Sequence, residues 1–152
     1  MIKDEINWSI LLLLQRNARL SNAEIGRRVG LTSPAVAERI KKMEDLGIIK
    51  GYAANIDHTA TGHQLRAIVT LKVFSGRLKP FLEIVKGFKE VINCYRITGV
   101  ENIIMEVAFF DQNHLEEFID KVIQYGETRT HIVLSNVVEN REIQRNTRKR
   151  LQ

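Results

Sequence analysis

The sequence predicts an α+β protein, in which a small domain of three helices precedes a domain of four strands and two helices. Apolar residues recur at helical spacing through residues 6–46, and signals that start or stop a helix divide this region into three. Beyond residue 64, apolar and polar residues alternate as they do in strands, and two helical stretches interrupt the alternation. A chain of 152 residues is long enough for two such small domains.

The composition is that of a folded globular protein, with 44% hydrophobic and 27% charged residues. The longest wholly apolar run, residues 10–14, is too short to span a bilayer. Asp4 and Glu5 directly follow the first three residues, which is unlike a secretory signal. A single cysteine, Cys94, excludes an internal disulfide and a multi-cysteine zinc site. We therefore expect a folded cytoplasmic protein.

The net charge of +5 is divided unevenly along the chain. Residues 1–50 carry 9 Lys and Arg against 6 Asp and Glu, residues 51–138 carry 9 against 10, and residues 139–152 carry 5 against 2. Basic ends around a near-neutral centre favour a polyanionic partner for the ends. A solvated basic surface is the alternative, and charge alone does not decide between them.

The first two helices are marked by the residues at their ends. Apolar residues at helical spacing predict the first helix over residues 6–14, ending near Asn17. Ser21 and Glu24 form a capping box, in which each side chain binds a main-chain N–H group at the start of the second helix. Gly30 can take the left-handed conformation that ends this helix.

A third helix follows after a very short turn. Ser33 is a good N-cap, and Pro34 suits the first helical position because its missing N–H group needs no partner there. The helix is predicted to run to about Leu46 and to stop at Gly47. Two helices joined by a short turn that contains glycine are typical of a helix-turn-helix. Such pairs also occur in all-α proteins that bind no nucleic acid.

The third helix has one core-facing side and one solvent-facing side, as a DNA recognition helix does. Val36, Ile40 and Met43 form its core stripe, which leaves Arg39 and Lys42 toward solvent. The major groove admits one helix, and the N-terminal residues of that helix reach the base edges. An arginine can read guanine or bind a phosphate, whereas a lysine favours phosphate. The predicted DNA-contact residues are Arg27, Arg28, Ser33, Pro34, Ala35, Ala37, Glu38, Arg39 and Lys42.

The segment between the two domains is predicted to be a linker. Residues 48–56 read as an extended strand that leaves the helical domain, and residues 57–62 read as a hinge. His58 and His63 lie on this linker, but no cluster of further ligands accompanies them. We therefore interpret both as surface histidines and predict no metal site.

The C-terminal domain is predicted to have a ferredoxin-like βαββαβ order, with both helices on one face of the sheet. The predicted elements are a strand over 65–73, a helix over 78–88, strands over 91–98 and 103–110, a helix over 111–125 and a strand over 128–138. The domain boundaries predicted from these patterns are 1–50 for the helix-turn-helix domain, 51–63 for the linker strand and hinge, 64–138 for the ferredoxin-like domain and 139–152 for a basic tail.

The other face of the predicted sheet is apolar and has no helix to cover it. Its residues are Ile68, Thr70, Phe74, Ile104, Ala108, Phe110 and Val133. Because monomers rarely expose so large a patch, a second copy of the same sheet is the simplest cover, and it would give a twofold dimer. A dimer with two helix-turn-helix heads suits a pseudo-palindromic site. A ligand or the helical domain of the same chain is the alternative cover.

The chain resembles the leucine-responsive/asparagine-synthetase regulator family (Lrp/AsnC, the feast/famine regulators) of bacteria and archaea. The resemblance covers nearly the whole length and rests on the order and spacing of LLQRNARLS at 13–21, EIGRRVGLT at 24–32, VAERIKKME at 36–44 and GIIKGY at 47–52. It implies a winged-helix-like DNA-binding head, a linker strand and a regulatory ferredoxin-like domain that dimerises. It also implies that dimers commonly assemble further, often as four dimers (an octamer) around which DNA can wrap.

The resemblance further implies an effector site, typically for an amino acid, near the hairpin turn after the second strand. The family pattern there is Thr-Gly-x-x-Asp-Tyr-Leu-Leu, and the effector-binding residues implied for this chain are Thr98, Gly99, Glu101 and Asn102. Thr98 and Gly99 match, but Asn102 replaces the aspartate and lacks the charge that would pair with an ammonium group. Either Glu101 restores that charge or the chain has no effector.

No motif of a nucleophile elbow, P-loop, dinucleotide site or zinc protease is present, so we predict no enzyme activity and no cofactor. The basic tail, with Arg141, Arg145, Arg148, Lys149 and Arg150, either adds phosphate contacts or only keeps the chain soluble. The predicted function is a sequence-specific transcriptional regulator that binds double-stranded DNA in the cytoplasm, at the nucleoid. The alternative is an architectural protein that wraps DNA with little sequence preference and no effector.

Overall fold

The computed structural model describes residues 4–145, which fall into two compact units. Residues 4–54 together with residues 138–145 form the helical unit, and residues 55–137 form the sheet unit. The elements are α1 (Glu5–Arg16), α2 (Asn22–Val29), α3 (Ser33–Asp45), β1 (Leu65–Val73), α4 (Leu78–Ile84), β2 (Val91–Arg96), β3 (Ile103–Phe109), α5 (Gln112–Val122) and β4 (Gly126–Ile132). None of the helices within residues 4–145 is long and apolar enough to cross a membrane.

The helical unit has the three predicted helices, and their ends are stabilised by local hydrogen bonds. The predicted capping box of Ser21 and Glu24 is confirmed, and so is the left-handed Gly30 (φ 71°) at the end of α2. The N-cap of α3 is Thr32, whose hydroxyl accepts from the main-chain N–H of Ala35. The prediction that Ser33 caps this helix was therefore wrong by one residue, because Thr32 offers an equivalent hydroxyl on extended backbone.

The core of the helical unit draws one or two buried side chains from each helix. They are Ile10 and Leu11 of α1, Ile25 of α2, and Val36 and Met43 of α3. The predicted stripe of α3 is thus confirmed at Val36 and Met43, while Ile40 packs at its edge and is half-buried. Because the core takes one face of α3, the opposite face is free to meet another molecule.

The segment after α3 does not form the linker strand that the sequence predicted. The N–H groups of Ile48 and Ile49 both donate to the carbonyl of Met43, and within residues 4–145 no strand pairs with residues 48–56. Residues 58–62 form hydrogen-bonded turns. An extended segment becomes a strand only when another strand accepts and donates its hydrogen bonds, and the described chain offers none here.

The sheet unit confirms the ferredoxin-like prediction. Its four strands are antiparallel and lie in the order β2-β3-β1-β4. One face forms a core of alternate strand residues such as Val69 and Met105 with Phe81 of α4 and Phe118 of α5, so both helices cover the same side. The other side has no helix on it and is called the open face below.

Several predicted boundaries in the sheet unit were too long. α4 ends at Ile84 and continues as a short 3-10 turn, α5 starts after its N-cap Asp111, and β4 covers Gly126–Ile132 instead of residues 128–138. β4 begins where Gly126 passes close to β1, since a Cβ on this glycine would lie 2.2 Å from the carbonyl oxygen of Lys72. Its register with β1 runs to Ile132 opposite Ala67, and just beyond it the N–H of Val133 donates to the Arg66 carbonyl at 2.9 Å.

Candidate DNA interface and effector turn

The turn between α2 and α3 depends on a glycine that sequence reasoning missed. The carbonyl of Gly26 accepts from the N–H groups of Gly30 and Leu31. A Cβ on Gly26 would lie 2.4 Å from the carbonyl oxygen of Leu31, so only glycine allows this close approach. The available signal was a glycine within an otherwise helical pattern, which often marks close packing.

The outward face of α3 carries exposed side chains, as predicted. Of the predicted DNA-contact residues, Ser33, Pro34, Ala37, Glu38 and Lys42 of α3 and Arg27 and Arg28 of α2 are exposed, and Ala35 is half-buried. Lys41 is also exposed and lies opposite the core stripe, but the prediction omitted it although the helical period places it there. Within residues 4–145, Arg27, Arg28, Lys41 and Lys42 have no ion-pair partner.

Arg39 is placed differently from the prediction. Its guanidinium group donates to a carboxylate oxygen of Asp4 at 2.6 Å and to the side-chain oxygen of Asn7 at 2.7 Å, so it is directed at α1 instead of pointing freely to solvent. The physical reason is its position on the helix, since Arg39 lies beside the core stripe and not opposite it. The hydrogen bond from Arg39 holds the pKa of Asp4 below its ordinary value of 3.8.

The open face of the sheet is less apolar than predicted. Ile68, Thr70 and Ile104 are half-buried. Between them, however, Arg66 forms an ion pair with Glu106 at 2.5 Å, and the Asn93 amide donates to the same carboxylate at 2.9 Å. Hydrogen bonds from Asn93 and then Arg66 hold the pKa of Glu106 below its ordinary 4.5.

The remaining residues predicted for the open face differ in their exposure. Ala108 is 5% exposed, whereas Phe74 and Phe110 are about half exposed and lie just beyond the ends of their strands. Val133, just beyond β4, is half-buried. Alternation along the strands also places Arg66 and Glu106 on this face, but the prediction omitted them; the strand register then decides that they pair.

The linker histidines lie against the sheet unit. The His63 ring stacks on Phe110 with 4.5 Å between ring centroids, and His58 meets His63 edge-on at 6.3 Å. No group of three or more His, Cys, Asp or Glu side chains within the described part of the chain is arranged to hold a metal ion. In the structure the His63 ring packs between His58 and Phe110.

The predicted effector residues occupy the turn between β2 and β3. Thr98 and Gly99 are exposed, and Gly99 has a φ of 128°, which favours glycine. The Asn102 side-chain oxygen accepts from the main-chain N–H of Val73 at 3.0 Å, and the main-chain N–H of Asn102 donates to the Leu71 carbonyl at 3.1 Å. Asn102 therefore extends the pairing of β3 with β1, and its side-chain acceptor is already used.

Glu101 is also occupied, because its carboxylate forms an ion pair with Arg129 of β4. Sequence reasoning missed Arg129, since only the pairing of β4 with β1 brings it close to this turn. The two acidic or amide groups predicted for the effector site thus both have partners within the chain. An ammonium group at Glu101 would therefore share the carboxylate with Arg129 or displace it.

A family model described as a winged helix-turn-helix DNA-binding domain matches residues 3–50, and one described as the Lrp/AsnC ligand binding domain matches residues 66–143. The chain belongs to the Lrp/AsnC family. The resemblance noted in the sequence is therefore confirmed.

The curated relatives of this Lrp/AsnC protein are transcriptional regulators. It is 36% identical over 133 residues to the HTH-type transcriptional regulator YezC of Bacillus subtilis, covering 88% of this chain and 94% of that protein. It is 31% identical over 134 residues to LrpC of the same organism, covering 88% and 93%. The chain is thus a DNA-binding transcriptional regulator, and it belongs to a family of regulators instead of enzymes.

Solved structures of the family share the fold. The structure of B. subtilis LrpC has a TM-score of 0.86 and 30% sequence identity, covering 91% of this chain and 99% of that chain. A transcriptional regulator from Neisseria meningitidis, solved as a complex with L-Met, has a TM-score of 0.86 and 26% identity, covering 91% and 94%.

Proposed function

We propose that this Lrp/AsnC regulator recognises a specific pseudo-palindromic duplex by placing α3 in the major groove. The proposal rests on the exposed face of α3, where small residues near the N-terminus of this helix allow close approach to base edges. In this proposal Ser33, Pro34, Ala35, Ala37 and Glu38 face the bases. Arg27, Arg28 and Lys42, which have no ion-pair partner within residues 4–145, bind phosphates on either side.

Arg39 acts on DNA through the placement of α3 and not as a free side chain in this proposal. Its hydrogen bonds to Asp4 and Asn7 join α3 to the start of α1, so they fix the angle at which α3 leaves the core. We expect loss of these bonds to weaken specific binding while the protein stays folded.

We propose that two chains pair through the open faces of their sheets and that such dimers assemble further, up to four dimers. The half-buried apolar residues of the open face support a protein partner there. So does the Nε of Arg66, which is buried and has no hydrogen-bond partner within the described residues. Sedimentation at low micromolar concentration would contradict the proposal if it returned the mass of one chain.

We propose that the turn near Thr98 and Gly99 binds a small effector, with an amino acid as the first candidate. The L-Met complex of the Neisseria regulator supports this ligand class. The Glu101–Arg129 ion pair and the use of Asn102 by β1 support the second candidate function, an architectural DNA-wrapping protein without an effector. Calorimetric titration with single amino acids separates the two, since the wrapping protein gives no binding heat with any of them.

Competition binding is the experiment that tests the main proposal. The regulator should prefer the promoter of its own operon to bulk DNA by about 10³ or more at physiological salt. Comparable binding to both would favour the architectural function, and its place of action would be the nucleoid in either case. Absence of duplex binding would contradict both.

A further inference from the structure

The exposed sides of α4 and α5 lie on the same side of the sheet unit, opposite to the open face, and carry opposite charges. Both helices pack on one side of the sheet, and the Phe88 ring just after α4 lies 5.7 Å from the Phe118 ring of α5. Residues 77–89, which contain α4 and the turn after it, carry 4 Lys and Arg against 1 Glu. Residues 112–122, which form α5, carry 1 Lys against 3 Asp and Glu. A basic surface therefore lies beside an acidic one.

The excess charge of each helix is unpaired. The ion pairs formed here, Glu83 with Lys86 and Lys121 with Glu90, use the minority charge of each helix. Six other charged side chains are exposed and form no ion pair within the described part of the chain. They are Arg77, Lys79 and Lys89, called the basic half, and Glu116, Glu117 and Asp120, called the acidic half.

Each helix also exposes one large apolar side chain at its C-terminal end. Ile84, the last residue of α4, is 40% exposed, and Ile123, which directly follows α5, is 47% exposed. Apolar side chains among charged ones are typical of protein–protein contacts. DNA would be repelled by the acidic half, so the two halves together favour a protein partner that is also basic on one half and acidic on the other.

A second copy of this chain has that charge pattern. If two copies meet with their helices face to face, a twofold axis that runs between α4 and α5 places α4 of each copy on α5 of the other. Basic then meets acidic at both places. An axis across the two helices would instead place α4 on α4 and α5 on α5, where like charges repel. The charges therefore favour the first arrangement.

We propose that the basic half and the acidic half form a second twofold contact, through which dimers of this chain join into larger assemblies. This inference rests on the proposed function, since it takes the open faces to be paired already. Two different twofold contacts on opposite sides of the sheet unit link one dimer to the next, and a ring closes when the rotation between dimers permits it.

The test measures the mass of the full chain by sedimentation at low micromolar concentration and compares two double variants. Lys79→Glu with Lys89→Glu makes the basic half acidic, and Glu116→Lys with Glu117→Lys makes the acidic half basic. Each variant alone should stop at the mass of two chains, because like charges then meet at both places. An equimolar mixture should regain the mass of the unaltered assembly, up to four dimers, because opposite charges meet again.

The matched control is Arg19→Glu with Lys50→Glu, at two exposed residues of the helical unit. It changes the net charge as much as the first variant does and should keep the mass of the unaltered chain. The tail residues Arg148, Lys149 and Arg150, which lie outside the described residues, stay unaltered in every variant.

Three results would overturn the inference while the proposed assembly stands. They are a helix variant that keeps the larger mass, a mixture of the two variants that stays at two chains, and a control that also stops at two chains, since net charge alone would then explain the loss. If the unaltered chain itself never exceeds two chains, the proposed assembly of dimers fails, and the inference fails with it.

Discussion

The outer surface of α2 and α3 and the open face of the sheet use the same basic residue types in different ways. On the open face of the sheet, Arg66 and Lys72 each pair with a glutamate on a neighbouring strand. On the helical unit, Arg27, Arg28 and Lys42 have no ion-pair partner within the described residues. Paired cations hold strands in register, whereas unpaired cations on one surface attract an external polyanion. The contrast agrees with the match of residues 3–50 to a winged helix-turn-helix DNA-binding domain.

The largest expected effect comes from Gly26→Ala in the helical unit. The new Cβ would press on the Leu31 carbonyl, and we expect a loss of about 1–3 kcal/mol or more of stability, as in overpacked sites. Thermal unfolding followed by circular dichroism should show earlier melting of the helical signal, and DNA binding should fall with it. Gly87→Ala is the control, because nothing lies within 4 Å of its Cβ position. Equal stability of the two variants would contradict the tight turn.

Arg39→Ala should have the next largest effect, a loss of about tenfold in specific DNA affinity. Hydrogen bonds to a charged group contribute about 1.5–3 kcal/mol at most, and the Arg39–Asp4 pair is partly exposed, which lowers its contribution. The footprint on the promoter measures it. Asp4 is also the N-cap of α1, where its side chain accepts from the N–H groups of Ile6 and Asn7. Asp4→Asn separates the two possible roles of Arg39, because asparagine keeps this cap but removes the charge. If Arg39 acts by holding α3 against α1, the Asp4→Asn variant should bind DNA more weakly. Direct contact with DNA predicts tighter binding, because a competing carboxylate is gone.

Lys42→Ala should lower the salt slope of DNA binding by about 1, the value for one lost phosphate contact. Lys72→Ala is the matched control in the sheet unit, where the lysine pairs with Glu127 at 3.4 Å. Anisotropy titrations at several salt concentrations measure both slopes. If Lys72→Ala changes the slope as much as Lys42→Ala does, the contrast between the two surfaces is wrong.

Glu106→Gln should have the smallest effect, a loss of stability near neutral pH that disappears in acid. Because the folded pKa of Glu106 lies below its ordinary 4.5, the ionised carboxylate stabilises the fold above about that pH. This contribution is lost as the pH falls through the lowered pKa. The variant should therefore lose less stability between pH 7 and acid than the unaltered chain does. Glu117→Gln, an exposed residue of α5, is the control for unfolding midpoints measured against pH.

Much of the fold could be predicted because its signals are local. The capping box joins Ser21 to Glu24, and Gly30 ends α2 by its own conformation. Such signals lie within one helical turn, so neighbouring residues alone establish them. The order of strands and helices in the sheet unit followed from alternation and from the handedness of crossovers. The predicted linker strand has no pairing partner within the described residues, and neighbouring residues cannot reveal whether a strand finds a distant partner.

Sequence patterns were therefore enough for the helix-turn-helix, the ferredoxin-like order and the basic surface. Only the tertiary structure could assign partners across long separations. Arg39 meets Asp4 from 35 residues away, Asn102 meets Val73 from 29, and Gln15 meets Ile143 from 128. Periodicity tells on which side of a helix or strand a residue lies, but it carries no information on which distant group that residue contacts. That depends on how the elements pack, and packing decided which basic side chains were left without an ion-pair partner and so can bind DNA.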